Sequence, residues 1–416
     1  MSEIAIFTIA SSNYLAYVRL LMQSLRQYHP DVDRHLILAD EADGRCDTEA
    51  ELYEITEARS IGIDDFMQMA FRYDIMEFNT AVKPFAFRYF LGNGYKKIIY
   101  FDPDILLYHN LQELFGLLDR YSIILTPHLT TPLPIDDTLN PSEQTCLSRG
   151  TYNLGFLALS ESHDARSFCD WWCRKCSESC YSEIETGLFV DQKWINFVPA
   201  FWSSVHILRH QGYNVAYWNL HERRIDGASI NGEVPLIFIH FSGIMLNDLN
   251  RISKYQNRFK LKDRSDVTPY FEEYRDLLIA HGHREAASAL YRYGFFDDDT
   301  PIGPVARRLY PSVAILFPNP FQTGSGTYHA LLKKKRLLER PSVRMRFVRD
   351  VIADDVKREN FRKWINVCFT ILCRVVGIRF YHLIMNYLLD NASIRKQTFL
   401  LHQPKGSNRT HEHNRF

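Results

Sequence analysis

The sequence predicts an α/β protein with a mixed, mostly parallel sheet flanked by helices, followed by a helical C-terminal region. The chain opens on a strand, a helix and a second strand, at about residues 3–9, 14–28 and 35–39. This is the βαβ order of a parallel sheet. Apolar strand-like runs then alternate with amphipathic helices up to about residue 260, where the alternation stops and helical patterns dominate.

The opening helix is predicted from its apolar stripe. Val18, Leu21 and Leu25 recur at helical spacing, and Pro30 closes the segment. Apolar or amphipathic patterns predict further elements in the same way. Helices are expected at residues 65–76, 80–91 and 164–180, and strands at 97–101, 122–126, 151–159, 213–220 and 236–241. Residues 127–149 hold four prolines and little periodicity, which predicts a long loop.

The central strand runs directly into two carboxylates. Residues 97–101 are β-branched and aromatic, as in a buried strand, and Asp102 and Asp104 follow with Pro103 between them. A carboxylate that is buried costs on the order of several kcal/mol unless a cation or another partner compensates its charge. Open α/β sheets bind ligands at the carboxyl ends of their strands. The pair therefore indicates a metal site, although a solvated turn at the strand end would have the same sequence.

Length and pattern divide the chain into four predicted parts. We expect a catalytic domain at residues 1–260, a helical extension and Pro/Gly-rich connector at 261–326, a basic helical subdomain at 327–402 and a disordered tail at 403–416.

Composition excludes some classes of function. The chain has 416 residues with 49 Lys and Arg against 49 Asp and Glu, a formal net charge of zero that argues against a nucleic-acid partner. The eight cysteines show no disulfide-scaffold spacing, and the N-terminus resembles a strand rather than a signal sequence. We therefore expect a cytoplasmic protein.

The C-terminal region leaves two interpretations open. Residues 364–389 are strongly apolar but contain Arg374 and Arg379. The segment is either a helix buried in the C-terminal subdomain or an interfacial helix that contacts the inner face of the membrane, where lipid-linked acceptors are found.

Four short motifs occur in the order that one enzyme family uses: Asp102-Pro103-Asp104, Asn153-Leu154-Gly155, Asp191-Gln192 and His240-Phe241-Ser242-Gly243. On these motifs the chain resembles the nucleotide-sugar glycosyltransferases of the GT-A (Rossmann-like) fold. It is most similar to glycosyltransferase family 8, the glycogenin and lipopolysaccharide galactosyltransferase group. The strings at residues 152–156 and 218–223 also resemble bacterial polysaccharide-cluster glycosyltransferases.

The resemblance implies a function and a set of ligands. It implies transfer of a sugar from a nucleoside-diphosphate sugar to a glycan or lipid-linked acceptor, in bacterial surface polysaccharide synthesis. Asp102, Asp104 and His240 would hold Mn²⁺ or Mg²⁺, with Mn²⁺ preferred because of the imidazole. Asp191 or Gln192 would lie near the reacting carbon, although Asp191 could instead cap the helix that follows.

The remaining assignments concern substrates. By the resemblance, the donor nucleotide, phosphate and sugar would be bound by Thr8, Ala10, Asn13, Lys83, Asn153, Gly155 and Gly243. The acceptor would meet His221, Glu222 and Arg223, which could equally be surface residues. The family signature continues into a lysine after the glycine, whereas residues 244–247 here contain none. Lys254, Arg251 or a residue of the C-terminal tail would then have to meet the phosphate.

Two other functions remain open from the sequence. A phosphohydrolase with an aspartyl nucleophile also places an Asp-x-Asp pair after an apolar strand. Its pair usually follows the first strand, whereas this one lies about a hundred residues into the chain. A non-catalytic sugar-binding protein that keeps the fold is the third possibility.

Overall fold

The computed structural model describes residues 2–42, 51–248, 250–339 and 355–401. The predicted disordered tail at 403–416 lies outside the described residues.

The chain divides into two compact units, Met1–Tyr293 and Gly294–Phe416. The predicted boundaries at residues 260, 326 and 402 stay predictions. Residues 261–293, which the sequence assigned to a separate extension, belong to the first unit.

The strands of the first unit are short and follow the predicted order in its first half. They are β1 (Ile4–Ala10), β2 (Asp33–Leu38), β3 (Glu54–Glu57), β4 (Lys97–Phe101), β5 (Ile105–Leu107), β6 (Ile123–Pro127), β7 (Tyr152–Ser160), β8 (Ser182–Glu183), β9 (Leu188–Phe189), β10 (Val205–Ile207), β11 (Ile225–Asp226), β12 (Ser229–Ile230), β13 (Val234–Pro235) and β14 (Phe238–His240).

Helices flank these strands and continue to the end of the described chain. They are α1 (Leu15–Tyr28), α2 (Phe66–Arg72), α3 (Ile75–Ala81), α4 (Lys83–Gly92), α5 (Gln112–Leu118), α6 (Glu143–Arg149), α7 (His163–Ser179), α8 (Val198–Phe201), α9 (Thr268–Ala280), α10 (His283–Ala286), α11 (Pro304–Leu309), α12 (Tyr328–Lys335), α13 (Asp355–Val376) and α14 (Ile378–Asp390).

The central sheet of the described residues has seven strands in the order β10-β6-β7-β4-β1-β2-β3. Every neighbouring pair is parallel except those of β7, which runs antiparallel to both β4 and β6. The predicted fold class is therefore confirmed: a GT-A (Rossmann-like) mixed, mostly parallel sheet flanked by helices, with a helical C-terminal region.

Alternation along β1 shows how the sheet acquires a core on both faces. Ile6 packs into the apolar cluster that contains Leu21 of α1. Its neighbour Phe7 points the other way, and its ring lies 4.9 Å from the ring of Phe87 on α4. Because adjacent strand residues face opposite sides, one fully apolar strand can pack against helices on both faces.

A two-stranded ribbon beside the sheet brings distant parts of the chain together. β5 pairs antiparallel with β14, and Ile105 lies opposite His240. The backbone N–H of Phe241 donates to the carbonyl of Asp104 at 2.9 Å. This pairing puts His240 beside the two aspartates that precede β5.

Two sequence predictions in this region are wrong. Residues 213–220 form turns rather than a strand, with only a parallel bridge between Val215 and Ile239. Asn214 has a positive φ of 56°, which a strand cannot accommodate. The predicted loop at 127–149 ends in helix α6, which begins with a capping box at Ser142.

The helices α13 and α14 correct another expectation. The alternative of a buried helix at residues 364–389 is wrong, because apolar side chains along both helices are exposed. Trp364 is 60% exposed, Val375 77% and Leu389 71%. No helix among the described residues is long and apolar enough to cross a membrane.

Candidate active site

Two carboxylates and an imidazole converge at the end of β4. The Nε2 atom of His240 lies 3.0 Å from Oδ1 of Asp104 and 3.7 Å from Oδ2 of Asp102. One ligand atom from each residue lies within 4.8 Å of the other two. His240 is buried, whereas the side chains of Asp102 and Asp104 are 31% and 19% exposed. His240 therefore forms the buried side of the cluster, and the two carboxylates form the side that is open to solvent.

The cluster has the donor set of a divalent-cation site. Burial alone would lower the pKa of His240, but Asp104 and then Asp102 hold this pKa above its ordinary value. Negative charge concentrated around one imidazole nitrogen favours a cation there. Two hard carboxylate oxygens with one imidazole suit Mn²⁺ or Mg²⁺.

Tyr100 holds one of the two aspartates. It lies two residues before Asp102, on the same face of the chain, and its hydroxyl donates to Oδ1 of Asp102 at 2.5 Å. Burial and the neighbouring Asp102 raise the pKa of this phenol well above its ordinary range, so it stays a donor. The bond fixes one carboxylate oxygen and leaves the other directed at His240.

Lys83 and Asp191 form a buried ion pair behind Tyr100. Their Nζ and Oδ2 atoms are 2.8 Å apart, and both side chains are 2% exposed. Lys83 also donates to the carbonyl of Leu154 at 2.8 Å, and its Nζ lies 4.4 Å from the centre of the Tyr100 ring. Burial raises the pKa of Asp191, and Lys83 opposes that effect. Asp191 does not cap the following helix, because its side chain makes no capping hydrogen bond.

A buried amide lies on the other side of the cluster. Oδ1 of Asn214 lies 3.2 Å from Nδ1 of His240, the ring nitrogen that faces away from the aspartates. The amide nitrogen of Asn214 donates to Oδ1 of Asn153 and to the hydroxyl of Thr126, both at 3.0 Å. The imidazole is therefore held from behind by a chain of polar groups.

Asn153 and Gly155 belong to the same network. Oδ1 of Asn153 accepts the backbone N–H of Gly155 at 3.0 Å, and its amide nitrogen lies 3.3 Å from Nε2 of His128. A β-carbon on Gly155 would lie 2.3 Å from Cε1 of His240. The glycine is needed because the imidazole lies directly against the backbone. Contact of Asn153 and Gly155 with the donor sugar stays a prediction.

Gln192 joins two backbone segments near the cluster. Its Oε1 accepts the N–H of Leu154 at 3.0 Å, and its Nε2 donates to the carbonyl of Arg149 at 3.2 Å. These bonds orient the side-chain amide between β7 and the end of α6. A direct role for Gln192 or Asp191 at the reacting carbon stays a prediction.

The residues predicted to meet the nucleotide and phosphate lie on the first strand and after β14. Thr8 and Ala10 are buried in β1, and Asn13 follows in a short 3₁₀ turn. Gly243 has φ +69°, and a β-carbon there would lie 2.6 Å from Cδ2 of Tyr255. That position therefore requires glycine, and its contact with phosphate stays a prediction.

Two of the three residues predicted to meet the acceptor, Glu222 and Arg223, make hydrogen bonds inside the fold. Glu222 accepts the backbone N–H groups of Thr130 and Thr131, and buried Arg223 donates to the carbonyl of Tyr213. His221 is partly exposed. The Glu222 contacts stabilise the loop after β6, and the Arg223 contact stabilises the turns after β10. An acceptor role for the three residues stays a prediction.

The cations proposed to replace the missing family lysine differ in position. The N–H of Lys254 donates to the carbonyl of Gly243 at 3.0 Å, and its Nζ lies 4.9 Å from the ring centre of Tyr255. Arg251 pairs instead with Asp248 on the surface. Of these two residues, Lys254 is the one that adjoins Gly243.

Sequence reasoning missed Asn214 and Tyr100. Asn214 lies inside an apolar run that predicts a strand. The available signal was its residue type, since asparagine is the non-glycine residue that best tolerates positive φ. Tyr100 had a clearer signal, because strand alternation puts it on the same side as Asp102.

No protein-family model matches the chain. The uncharacterized protein YfnF of Bacillus subtilis (strain 168) is 23% identical over 285 residues, which cover 65% of this chain and 90% of that protein.

Two of the solved structures that are similar to this chain are glycosyltransferases. The galactosyltransferase LgtC, in complex with donor and acceptor sugar analogs, is 16% identical over 66% of this chain and 95% of its own, with a TM-score of 0.38. The glycosyltransferase GlyE of Streptococcus pneumoniae TIGR4 is 13% identical over 70% of this chain and 66% of its own, with a TM-score of 0.40.

Proposed function

We propose that this chain is a metal-dependent glycosyltransferase. It transfers a sugar from a nucleoside-diphosphate sugar to a glycan or lipid-linked acceptor, in the assembly of a bacterial surface polysaccharide. The observation that carries the proposal is the convergence of Asp102, Asp104 and His240 at the carboxyl end of β4. Ligands bind at this end of open α/β sheets.

The charge of the leaving group explains why such a site suits this reaction. A nucleoside diphosphate leaves as a polyanion, and the developing charge has to be stabilised. A divalent ion held by Asp102, Asp104 and His240 would neutralise that charge as a Lewis acid. The two carboxylates are partly exposed and His240 is buried, so the carboxylates would receive such an ion from solvent and His240 would supply the ligand on the buried side.

The protein's own groups supply orientation. Tyr100 fixes the carboxylate of Asp102, and the buried Lys83–Asp191 pair lies directly behind that tyrosine. Such fixed charges and dipoles need no reorganisation during the reaction. Lys254, beside Gly243, is the exposed cation that we assign to the diphosphate.

The test is a donor-hydrolysis and transfer assay with a panel of nucleotide sugars and Mn²⁺. We expect slow release of nucleoside diphosphate from one donor with the wild-type protein, and loss of that release with EDTA or with Asp104→Asn. The matched control is Asp64→Asn, which neutralises an exposed aspartate of the loop before α2. Full activity of Asp104→Asn would contradict the metal assignment.

The same assay separates the alternatives. A phosphohydrolase would release phosphate from simple esters such as p-nitrophenyl phosphate, and a non-catalytic binding protein would retain the donor without cleaving it. The phosphohydrolase is less favoured because Asp102 follows the fourth strand of the chain and its carboxylate accepts a hydrogen bond from Tyr100.

We propose in addition that helices α13 and α14 contact an anionic membrane surface. Trp364, Val367, Ile371 and Val375 recur at helical spacing along α13, and all are more than half exposed. On α14, the exposed Phe380, Leu383 and Tyr387 share one face in the same way.

Charge favours lipid over a second copy of the chain as the surface that these helices meet. No acidic residue occurs between Glu359 and Asp390, whereas this stretch carries Arg362, Lys363, Arg374 and Arg379. Like charges would repel between two copies, whereas anionic headgroups attract them. Exposed aromatic and apolar residues with flanking cations are typical of interfacial helices.

Vesicle flotation tests this contact. We expect the full chain to float with vesicles that contain phosphatidylglycerol but not with pure phosphatidylcholine, and a Trp364→Ser/Ile371→Ser/Leu383→Ser variant to lose binding while it still cleaves the donor. A light-scattering mass of a dimer that the same triple variant converts to monomer would overturn the membrane proposal in favour of a second copy.

A further inference from the structure

Asn214 is held in a backbone conformation that most residues avoid. Its φ is +56°, it is only 1% exposed, and it lies in the turn between β10 and β11. A non-glycine residue in this left-handed region costs on the order of 1 kcal/mol or more, and such residues concentrate at functional sites. The cost directs attention to what the side chain contacts.

The orientation of the Asn214 amide follows from its neighbours. Oδ1 of Asn153 accepts the backbone N–H of Gly155, so that atom is an oxygen. It lies 3.0 Å from the Asn214 side chain, which must therefore present its NH₂ group there. The oxygen of Asn214 then faces Nδ1 of His240, at 3.2 Å.

This orientation fixes the tautomer of His240. Because the amide oxygen only accepts, Nδ1 of the imidazole carries the hydrogen and donates it. In the neutral ring, Nε2 then presents a lone pair to Asp104 and Asp102, at 3.0 and 3.7 Å. Because all three atoms are acceptors, either a proton on Nε2 or a bound cation in its place must lie between them.

We infer that Asn214 is a positioning residue for a divalent cation bound by Asp102, Asp104 and His240. It acts by holding His240 in the tautomer and ring orientation that direct Nε2 at the ion. The inference rests on the metal site of the proposed function, but it concerns a residue that contacts neither the ion nor the donor. Groups that orient a metal-binding histidine in this way typically contribute about 10 to 100-fold in metal affinity.

The experiment measures the affinity of the protein for Mn²⁺ alone, by titration calorimetry, without donor or turnover. Asn214→Gly removes the amide and accepts the same backbone conformation without strain. We expect its Mn²⁺ affinity to fall about 10 to 100-fold. The matched control is Asn231→Gly, because Asn231 also has φ +56° but is exposed and bonds the loop of residues 222–224.

A second measurement separates positioning from a general effect on the fold. Asn214→Gly is combined with His240→Ala, and the Mn²⁺ affinity of the double variant is compared with that of His240→Ala alone. A residue that acts only through His240 causes no further loss in that background. A further loss of tenfold would overturn the inference and indicate a structural role.

The remaining outcomes are also decisive. Wild-type affinity in Asn214→Gly, with reduced affinity in His240→Ala, overturns the inference alone and leaves the metal site intact. Wild-type affinity in both His240→Ala and Asp104→Asn overturns the metal site and the inference together.

If Asn214→Gly does not fold, the tautomer is measured directly in the wild-type protein, from the ¹⁵N chemical shifts of the His240 imidazole in the presence of Mg²⁺. We expect the hydrogen on Nδ1, donated to the oxygen of Asn214. A hydrogen on Nε2 with none on Nδ1 would overturn the inference.

Discussion

Gly155 lies directly against the imidazole of His240, so closely that a β-carbon would come within 2.3 Å of Cε1. The same glycine accepts the backbone N–H of Asp102 at 2.7 Å and donates its own N–H to Asn153. One residue of β7 thus contacts both ends of the candidate metal site. The spacing between histidine and aspartate is set by the backbone of a third strand.

Gly155→Ala adds only a methyl group, but it should disturb the metal site strongly. The added methyl group must displace His240 or the strand, which costs about 1–3 kcal/mol in a packed interior. We expect a lower midpoint of thermal unfolding and at least a tenfold loss of Mn²⁺ affinity. Gly116→Ala is the control, because a β-carbon in that helix meets no atom within 4 Å. Unchanged Mn²⁺ affinity in Gly155→Ala would contradict the close packing described here.

Local patterns were sufficient to predict the sheet and one end of the site. The opening βαβ order and the apolar run before Asp102 are local patterns. They can be predicted because the spacing of apolar residues along a strand or a helix depends only on positions that are close in the sequence. Family resemblance added His240, whose motif lies far along the chain. The structure brings it within 3.0 Å of Asp104.

The partners of these residues could not be predicted from the sequence. The pairing of β5 with β14 joins segments more than a hundred residues apart, and no periodicity encodes the register that sets Ile105 opposite His240. Asn214 was hidden for another reason: its apolar neighbours are typical of a strand, while tertiary contacts hold it in a turn. Lys83, predicted to meet the donor, is buried, and the sequence did not predict that Asp191 compensates its charge.

Asp104→Asn should separate metal binding from stability. Its carboxylate lies near that of Asp102 and 3.0 Å from Nε2 of His240, so neutralising it removes both a repulsion and an attraction. We expect the metal-free variant to unfold close to the wild-type temperature. Thermal scans with and without Mn²⁺ test this, because ligands stabilise only the state that binds them. The upward shift that Mn²⁺ causes in the wild type should disappear in this variant and persist in Asp64→Asn.

Removing one charge of the Lys83–Asp191 pair should destabilise the fold strongly, whereas removing both charges should destabilise it only slightly. Lys83→Met leaves an uncompensated carboxylate in the interior and should cost about 3–5 kcal/mol of unfolding free energy. Lys83→Met combined with Asp191→Asn removes both charges and should recover most of that loss. Urea unfolding of the two single variants and the double variant measures the coupling. Additive losses would contradict a direct pair at 2.8 Å.

The double variant also tests the predicted roles of the pair in catalysis. If Lys83 meets the donor and Asp191 lies near the reacting carbon, the double variant should bind Mn²⁺ normally but transfer sugar at less than about a hundredth of the wild-type rate. This decrease corresponds to a loss of about 3 kcal/mol of transition-state stabilisation. Wild-type turnover would restrict the pair to a structural role.

His29 should make the fold sensitive to mild acid, independently of the candidate site. Burial lowers the pKa of this imidazole to about 4, and its Nε2 accepts the backbone N–H of Leu111 at 2.8 Å. Between this value and the ordinary pKa of about 6.5, the unfolded chain binds a proton that the folded chain does not. Stability should therefore fall as the pH drops from 6.5 towards 4, by at most about 1.4 kcal/mol per pH unit from this residue.

His29→Gln tests this dependence, because glutamine keeps a possible acceptor for the N–H of Leu111 but does not titrate. Urea unfolding at pH 7.5, 6, 5 and 4.5 should show a shallower decline for this variant than for the wild type or for the exposed control His163→Gln, and equal slopes in all three proteins would contradict the assignment.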